Sequence, residues 1–134
     1  MGKMSASAAP HAKPDLAAHD QVMRLDLANV VGALTDELGA KLVAYIGSVG
    51  ETRAVRQWIE KKREPRGDAE RRLREALIVT FMLRSRDSRS AVQAWLMGLN
   101  PQLDDQSPAT VLRDGDDRSI AAVRGAARAF LIGG

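Results

Sequence analysis

The sequence predicts an all-α protein. Apolar residues return at steps of three and four along most of the chain, β-branched residues never alternate cleanly with polar ones, and only 4% of residues are aromatic. Glycines, prolines and capping residues fall between the amphipathic runs rather than within them. A chain of 134 residues buries roughly two-thirds of its unfolded surface, so it needs neither a metal nor a crosslink to fold. The absence of cysteine excludes disulfides, zinc fingers and a thiol nucleophile. No apolar run approaches the ~20 residues of a membrane span. Residues 1–20 lack the continuous apolar core of a secretory signal, so the expected compartment is cytoplasmic.

Taken in order, residues 1–20 are rich in Ala, Ser, Pro and charge without periodicity, and a disordered tail is expected there. A helix is predicted over 22–38, with Leu25, Val30, Val31, Leu34 and Leu38 on one face and Gly39 as its C′ residue. A short helix over 40–46, through Leu42, Val43 and Ile46, leads into a Ser48-Val49-Gly50 turn. The next helix, over 52–61, buries Val55, Trp58 and Ile59. Pro65 and Gly67 interrupt a charged stretch, and Asp68 caps a long helix over 69–86. Its segment from Ala76 to Leu83 is apolar nearly all round, so it must be covered on several sides, by the first helix or by a second protomer. A helix over 88–97 carries Val92, Trp95 and Leu96 and stops at Asn100-Pro101. Ser107-Pro108 opens a short helix through Leu112, which Gly115 ends in a left-handed C′ conformation. Asp116 or Asp117 caps a last helix over 118–131, with Ile120, Val123, Ala127 and Phe130 as its apolar stripe. There is no internal repeat. The expected organisation is a tail (1–20), a helix-turn-helix unit (21–67), a connecting and dimerisation helix (68–87) and a small helical C-terminal module (88–134).

The net charge is only +3, with a pI of 9.7, but the basic residues cluster. Residues 41–74 hold ten of the twenty Lys and Arg residues against five acidic ones. The cluster falls on a helix–turn–helix pattern, in which burial of Val55 and Trp58 leaves Thr52, Arg53, Arg56 and Gln57 on the outer face of the second helix. A recognition helix presents its base-reading side chains there. Arg suits a bidentate contact to guanine and Gln one to adenine, while Lys61, Lys62 and Arg63 would meet phosphates. The plainer alternative is a charged, solvated helix hairpin.

The stretch from Val43 to Pro65 resembles the Xre-type helix–turn–helix of bacterial repressors, with a longer spacing from Gly47 to Val55 and Trp58 than is usual. Farther on, Trp95, Asn100-Pro101, Leu103, Pro108, Leu112, Gly115 and a short amphipathic helix ending Ala129-Phe130-Leu131 look like the toxin-binding domain of the Xre/MbcA/ParS antitoxin family, which often has glycine in place of Asp105. That resemblance implies an antitoxin of a type II toxin–antitoxin system. Such a protein dimerises, binds operator DNA to repress its own operon, and blocks a RES-domain, NAD-consuming toxin with its C-terminal module. The corresponding toxin-binding residues here are Arg118, Arg124, Arg128, Leu131 and Gly134.

Other chemistries have weaker support. His11 and His19 both fall in the expected tail, leaving no nucleophile–base pair, so neither catalytic residues nor a metal or cofactor site are expected. The acidic run Asp114-Gly115-Asp116-Asp117 lacks calcium-loop spacing and is better explained by capping. Gly47 and Gly50 are not followed by the Gly-Lys-Ser/Thr of a phosphate loop. Trp58 and Trp95 read as core anchors. The alternative function is a stand-alone helix-turn-helix regulator with no toxin partner. An enzyme acting on nucleotides or nucleic acid is a weaker third.

Overall fold

A computed structural model describes residues 14–133, and among these the chain is all-helical with no strand. The elements are α1 (Pro14–Met23), α2 (Leu27–Leu38), α3 (Ala40–Ile46), α4 (Thr52–Ile59), α5 (Ala69–Arg84), α6 (Arg89–Met97), a 3₁₀ turn (Pro101–Leu103), α7 (Pro108–Asp114) and α8 (Asp117–Gly133).

Helix α5 is the axle. It buries Leu73, Ala76, Leu77, Ile78, Val79, Met82 and Leu83, and α1, α2 and α8 pack along it, with α3, α6 and α7 completing the surround. Its one buried hydroxyl, on Thr80, donates to the Ala76 carbonyl at 2.8 Å and so is not stranded. The all-round apolar segment is therefore covered within one protomer, and its burial does not call for a second copy.

The first helix departs from expectation. The predicted helix over 22–38 is two helices, because Asp26 starts a new one: its carboxylate accepts from the Asn29 N–H at 3.0 Å and its backbone is extended. Residues 14–20, expected in a disordered tail, belong to α1; residues 1–13 lie outside the described residues. Among its described apolar side chains, helix α1 buries Ala18 and Val22, too short a signal to show as periodicity. Contacts from distant arginines hold it instead. Arg74 donates to the carbonyls of Val22 and Leu25 at 3.0 and 2.9 Å, and Arg128 donates to Asp15 at 2.7 Å.

The buried side chains form one cluster running from Ala18 to Leu131, so the boundaries at 67/68 and 87/88 do not interrupt the core. Polar contacts cross them as well. The Tyr45 and Thr110 hydroxyls meet at 2.9 Å, Arg72 donates to the Leu112 carbonyl at 2.9 Å, and Gln93 donates to the Glu37 carbonyl at 2.8 Å.

In the C-terminal part, Ser88 caps α6 by accepting from the Ala91 N–H at 3.1 Å. Ser107 caps α7 in the same way through Thr110, also at 3.1 Å. Gly115 is not left-handed: its φ is −74° and ψ 159°. Glycine is needed there for space, since a Cβ would lie 2.6 Å from the Val111 carbonyl oxygen and 2.9 Å from the Ser119 Cβ. On α8 the buried stripe is Ile120, Val123, Ala127 and Leu131, with Ala126 beside it. Its last step is four residues rather than three, so Leu131 enters the core while Phe130 stays 39% exposed and tilts against Trp95 at 6.3 Å.

Left-handed backbone falls instead at Asp104 (φ 55°) and Asp105 (φ 62°). The loop closes when the Asp105 and Leu103 N–H groups donate to the Asn100 carbonyl at 3.0 and 2.9 Å. A side chain at such φ values is strained, and glycine is not. Asp105→Gly should therefore raise stability by about 0.5–1 kcal/mol, visible as an increase of about 2–4 °C in Tm. A fall in Tm would mean that the Asp105 carboxylate makes a stabilising contact.

Candidate nucleic-acid interface

Helix α3 ends in a Schellman motif. The Val49 N–H donates to the Ala44 carbonyl at 3.0 Å and the Ser48 N–H to the Tyr45 carbonyl at 3.1 Å, which places Ser48 at φ 61°. The neighbouring Gly47 has an ordinary φ of −80°. Its role is close approach: a Cβ there would lie 2.7 Å from Cη2 and 2.9 Å from Cζ3 of Trp58. Trp58 is 2% exposed, and its ring against Gly47 sets how near α4 comes to α3. Ala54 and Val55 complete the buried side of α4.

The opposite side of α4 is open. Thr52, Arg53 and Arg56 are exposed and Gln57 is half-buried. Neither the Arg53 nor the Arg56 side chain has a hydrogen bond or an ion pair among the described residues. Ile59, expected in the buried stripe, is on the surface at the end of the helix.

Helix α4 stops at Ile59, short of the predicted 61. A second Schellman motif closes it, with the Lys62 N–H donating to the Gln57 carbonyl at 2.9 Å and the Lys61 N–H to the Trp58 carbonyl at 3.2 Å. This puts Lys61 at φ 62°. The three basic residues predicted to flank the helix therefore diverge. Lys61 reaches Asp26 at 3.4 Å and Lys62 reaches Glu60 at 3.6 Å, whereas Arg63 is exposed and has no partner among the described residues. The Asn29 N–H, and after it Lys61, hold the Asp26 carboxyl below the usual carboxylate range.

Beside α4 runs an open groove of about 800 Å³, bordered by the turn at 47–51, the loop after α4, the start of α5 and the end of α7. Arg53, Arg63, Arg66, Arg72 and Arg113 line it. Arg113 comes from the far end of the sequence. It donates to the Tyr45 carbonyl at 3.1 Å, its guanidinium stacks 4.7 Å from the Tyr45 ring centroid, and Nε lies 3.4 Å from Asp114. Sequence reasoning missed Arg113 because the pairing with Tyr45 spans 68 residues of sequence and leaves no local pattern.

The residues assigned to a toxin differ in their surroundings. Arg118 is exposed in the first turn of α8 and has no partner among the described residues. Arg124 makes a two-pronged bond to Glu75, with both N–O distances 2.8 Å, and sits 3.4 Å from Nδ1 of His19. That carboxylate raises the arginine's pKa further, so Arg124 stays charged. Arg128 is paired with Asp15. Leu131 is in the core, and Gly134 lies outside the described residues. Arg124 and Arg128 thus hold α1 and α5 against α8, and Leu131 packs. The exposed groups nearest the end of α8 are Phe130 and Ile132, the latter 86% exposed.

No family model matches the chain, and no curated protein or solved structure is significantly similar to it. Among the described residues no helix is long and apolar enough to cross a membrane.

Proposed function

We propose that the chain is a DNA-binding antitoxin, with α3, the turn at 47–51 and α4 acting as a helix-turn-helix and α4 as its recognition helix. The observation that carries the reading is the outward presentation of Thr52, Arg53 and Arg56 on one side of α4, with both arginines unpaired among the described residues. Helix α4 contains no carboxylate that could take them up. Arg53 and Arg56 remain available for base edges or phosphates. The antitoxin half of the proposal rests on the resemblance of residues 91–131 to the toxin-binding domain. Its partner would be a RES-domain toxin, met by Arg118, Phe130 and Ile132 rather than by the tethered arginines. A homodimer would set two α4 helices about one DNA turn apart.

The test uses duplex DNA from upstream of the protein's own gene. Binding by the full chain should weaken with salt, with a slope of log K against log salt of about −5 to −7 for a dimer neutralising about six to eight phosphates. The double variant Arg53→Glu/Arg56→Glu should lose sequence-specific binding at unchanged helicity. A flat salt dependence, or an unaffected double variant, would sink the DNA reading. Co-expression with an adjacent RES-type gene tests the other half. Failure to co-purify, with DNA binding intact, would leave a stand-alone regulator.

A further inference from the structure

We infer that the groove between the turn at 47–51, the loop at 63–68 and the end of α7 carries a phosphodiester backbone, with Arg66 and Arg113 as contact residues beside Arg53 and Arg63. The inference rests on the reading that α4 meets duplex DNA, and it extends the interface into the C-terminal part of the chain. Arg53 belongs both to the outward face of α4 and to the lining of the groove. A strand running beside α4 would therefore enter the groove directly.

The lining chemistry favours an extended polyanion over a small molecule. Small-molecule sites are enclosed and mostly apolar, whereas this groove is open and lined by guanidinium groups. Of its carboxylates, Asp68 is bound by Arg72 at 3.0 Å, which holds its pKa down, and Asp114 faces Arg113 at 3.4 Å. Arg53, Arg63 and Arg66 then stand unpaired, among the described residues, against Glu51 and Glu64. Arg113 is held in place by the Tyr45 carbonyl and ring, and no hydrogen bond uses its Nη2 among the described residues. A side chain already ordered in this way loses little entropy when it takes a phosphate.

Fluorescence anisotropy of the full chain on its own upstream duplex, titrated with salt, tests the inference through variants of opposite sign. Arg66→Gln and Arg113→Gln should each weaken binding about fivefold at low salt and make the slope shallower by about two, one contact being lost in each half of the dimer. Glu64→Gln should strengthen binding about twofold to fivefold by removing a repulsive charge. Arg66 has no partner among the described residues, so its variant tests the groove without disturbing the fold. If Arg113→Gln weakens binding with an unchanged slope, its role is to hold α7 on α3, and the inference fails for that residue. Unchanged slopes in both arginine variants, with the Arg53/Arg56 double variant inactive, confine the interface to α4 and overturn the inference while leaving the proposed function standing. If the unmodified protein does not bind duplex at any salt concentration, the DNA reading itself falls, and this inference with it.

Discussion

Leu77→Ala is expected to destabilise the protein by about 3–5 kcal/mol, at the upper end for a buried leucine. Leu77 is fully buried on the helix around which α1, α2, α3, α6, α7 and α8 pack, so the cavity cannot be filled by a shift of one neighbour. Because the cover comes from α1, α2 and α8 of the same chain, the loss should be independent of protein concentration. An interface between protomers would behave differently, since mass action makes the melting temperature of an obligate dimer rise with concentration. Chemical denaturation of wild type and variant across a wide concentration range decides the matter. A difference between the wild-type and variant midpoints that changes with concentration would show that the α5 core is completed by a second copy, whereas a parallel climb in both reports a dimer formed elsewhere.

Much of the helical layout was legible because its signals are local. Ser107 and Asp116 each cap a helix within three residues of their own position, and the 3.6-residue period of α2 and α8 survives in the apolar pattern. Signals spread across the chain were not legible. Helix α1 reads as a tail because its partners, Arg74 and Arg128, come from elsewhere in the sequence. The exchange of Leu131 for Phe130 on α8 reflects a spacing in which steps of three and four are equally helical, so the facing surface decides between them. The basic tract was visible as a tract. Which of its residues are free was not: Lys61, past the end of a helix expected to run two residues farther, pairs with Asp26, and Arg66 and Arg113 line one groove only in three dimensions. The same holds for Arg124, whose partner Glu75 lies on α5.

The contact that orients α4 can be tested with one carbon atom. Gly47→Ala places a methyl group 2.7 Å from Cη2 and 2.9 Å from Cζ3 of the Trp58 ring, and 3.3 Å from the Val43 carbonyl oxygen. Trp58 is buried on all sides and cannot swing away, so α4 must move outward. Such overpacking costs about 1–3 kcal/mol, and it displaces Thr52, Arg53 and Arg56 together, so duplex binding should fall further than stability alone explains. Trp58→Phe provides the control. Phenylalanine lacks the outer ring atoms that approach Gly47. It also removes the indole Nε1, which is buried without a hydrogen-bond partner and so carries a penalty of about 1–3 kcal/mol. Trp58→Phe alone should therefore cost less than its lost area suggests, and the pair Gly47→Ala/Trp58→Phe should be more stable than the sum of the single variants by about 1–2 kcal/mol. Denaturant midpoints for the four proteins close the cycle, and DNA affinity measured on the same four should follow the recovery. Additive losses would show that the methyl group is absorbed elsewhere and that Gly47 does not set the position of α4.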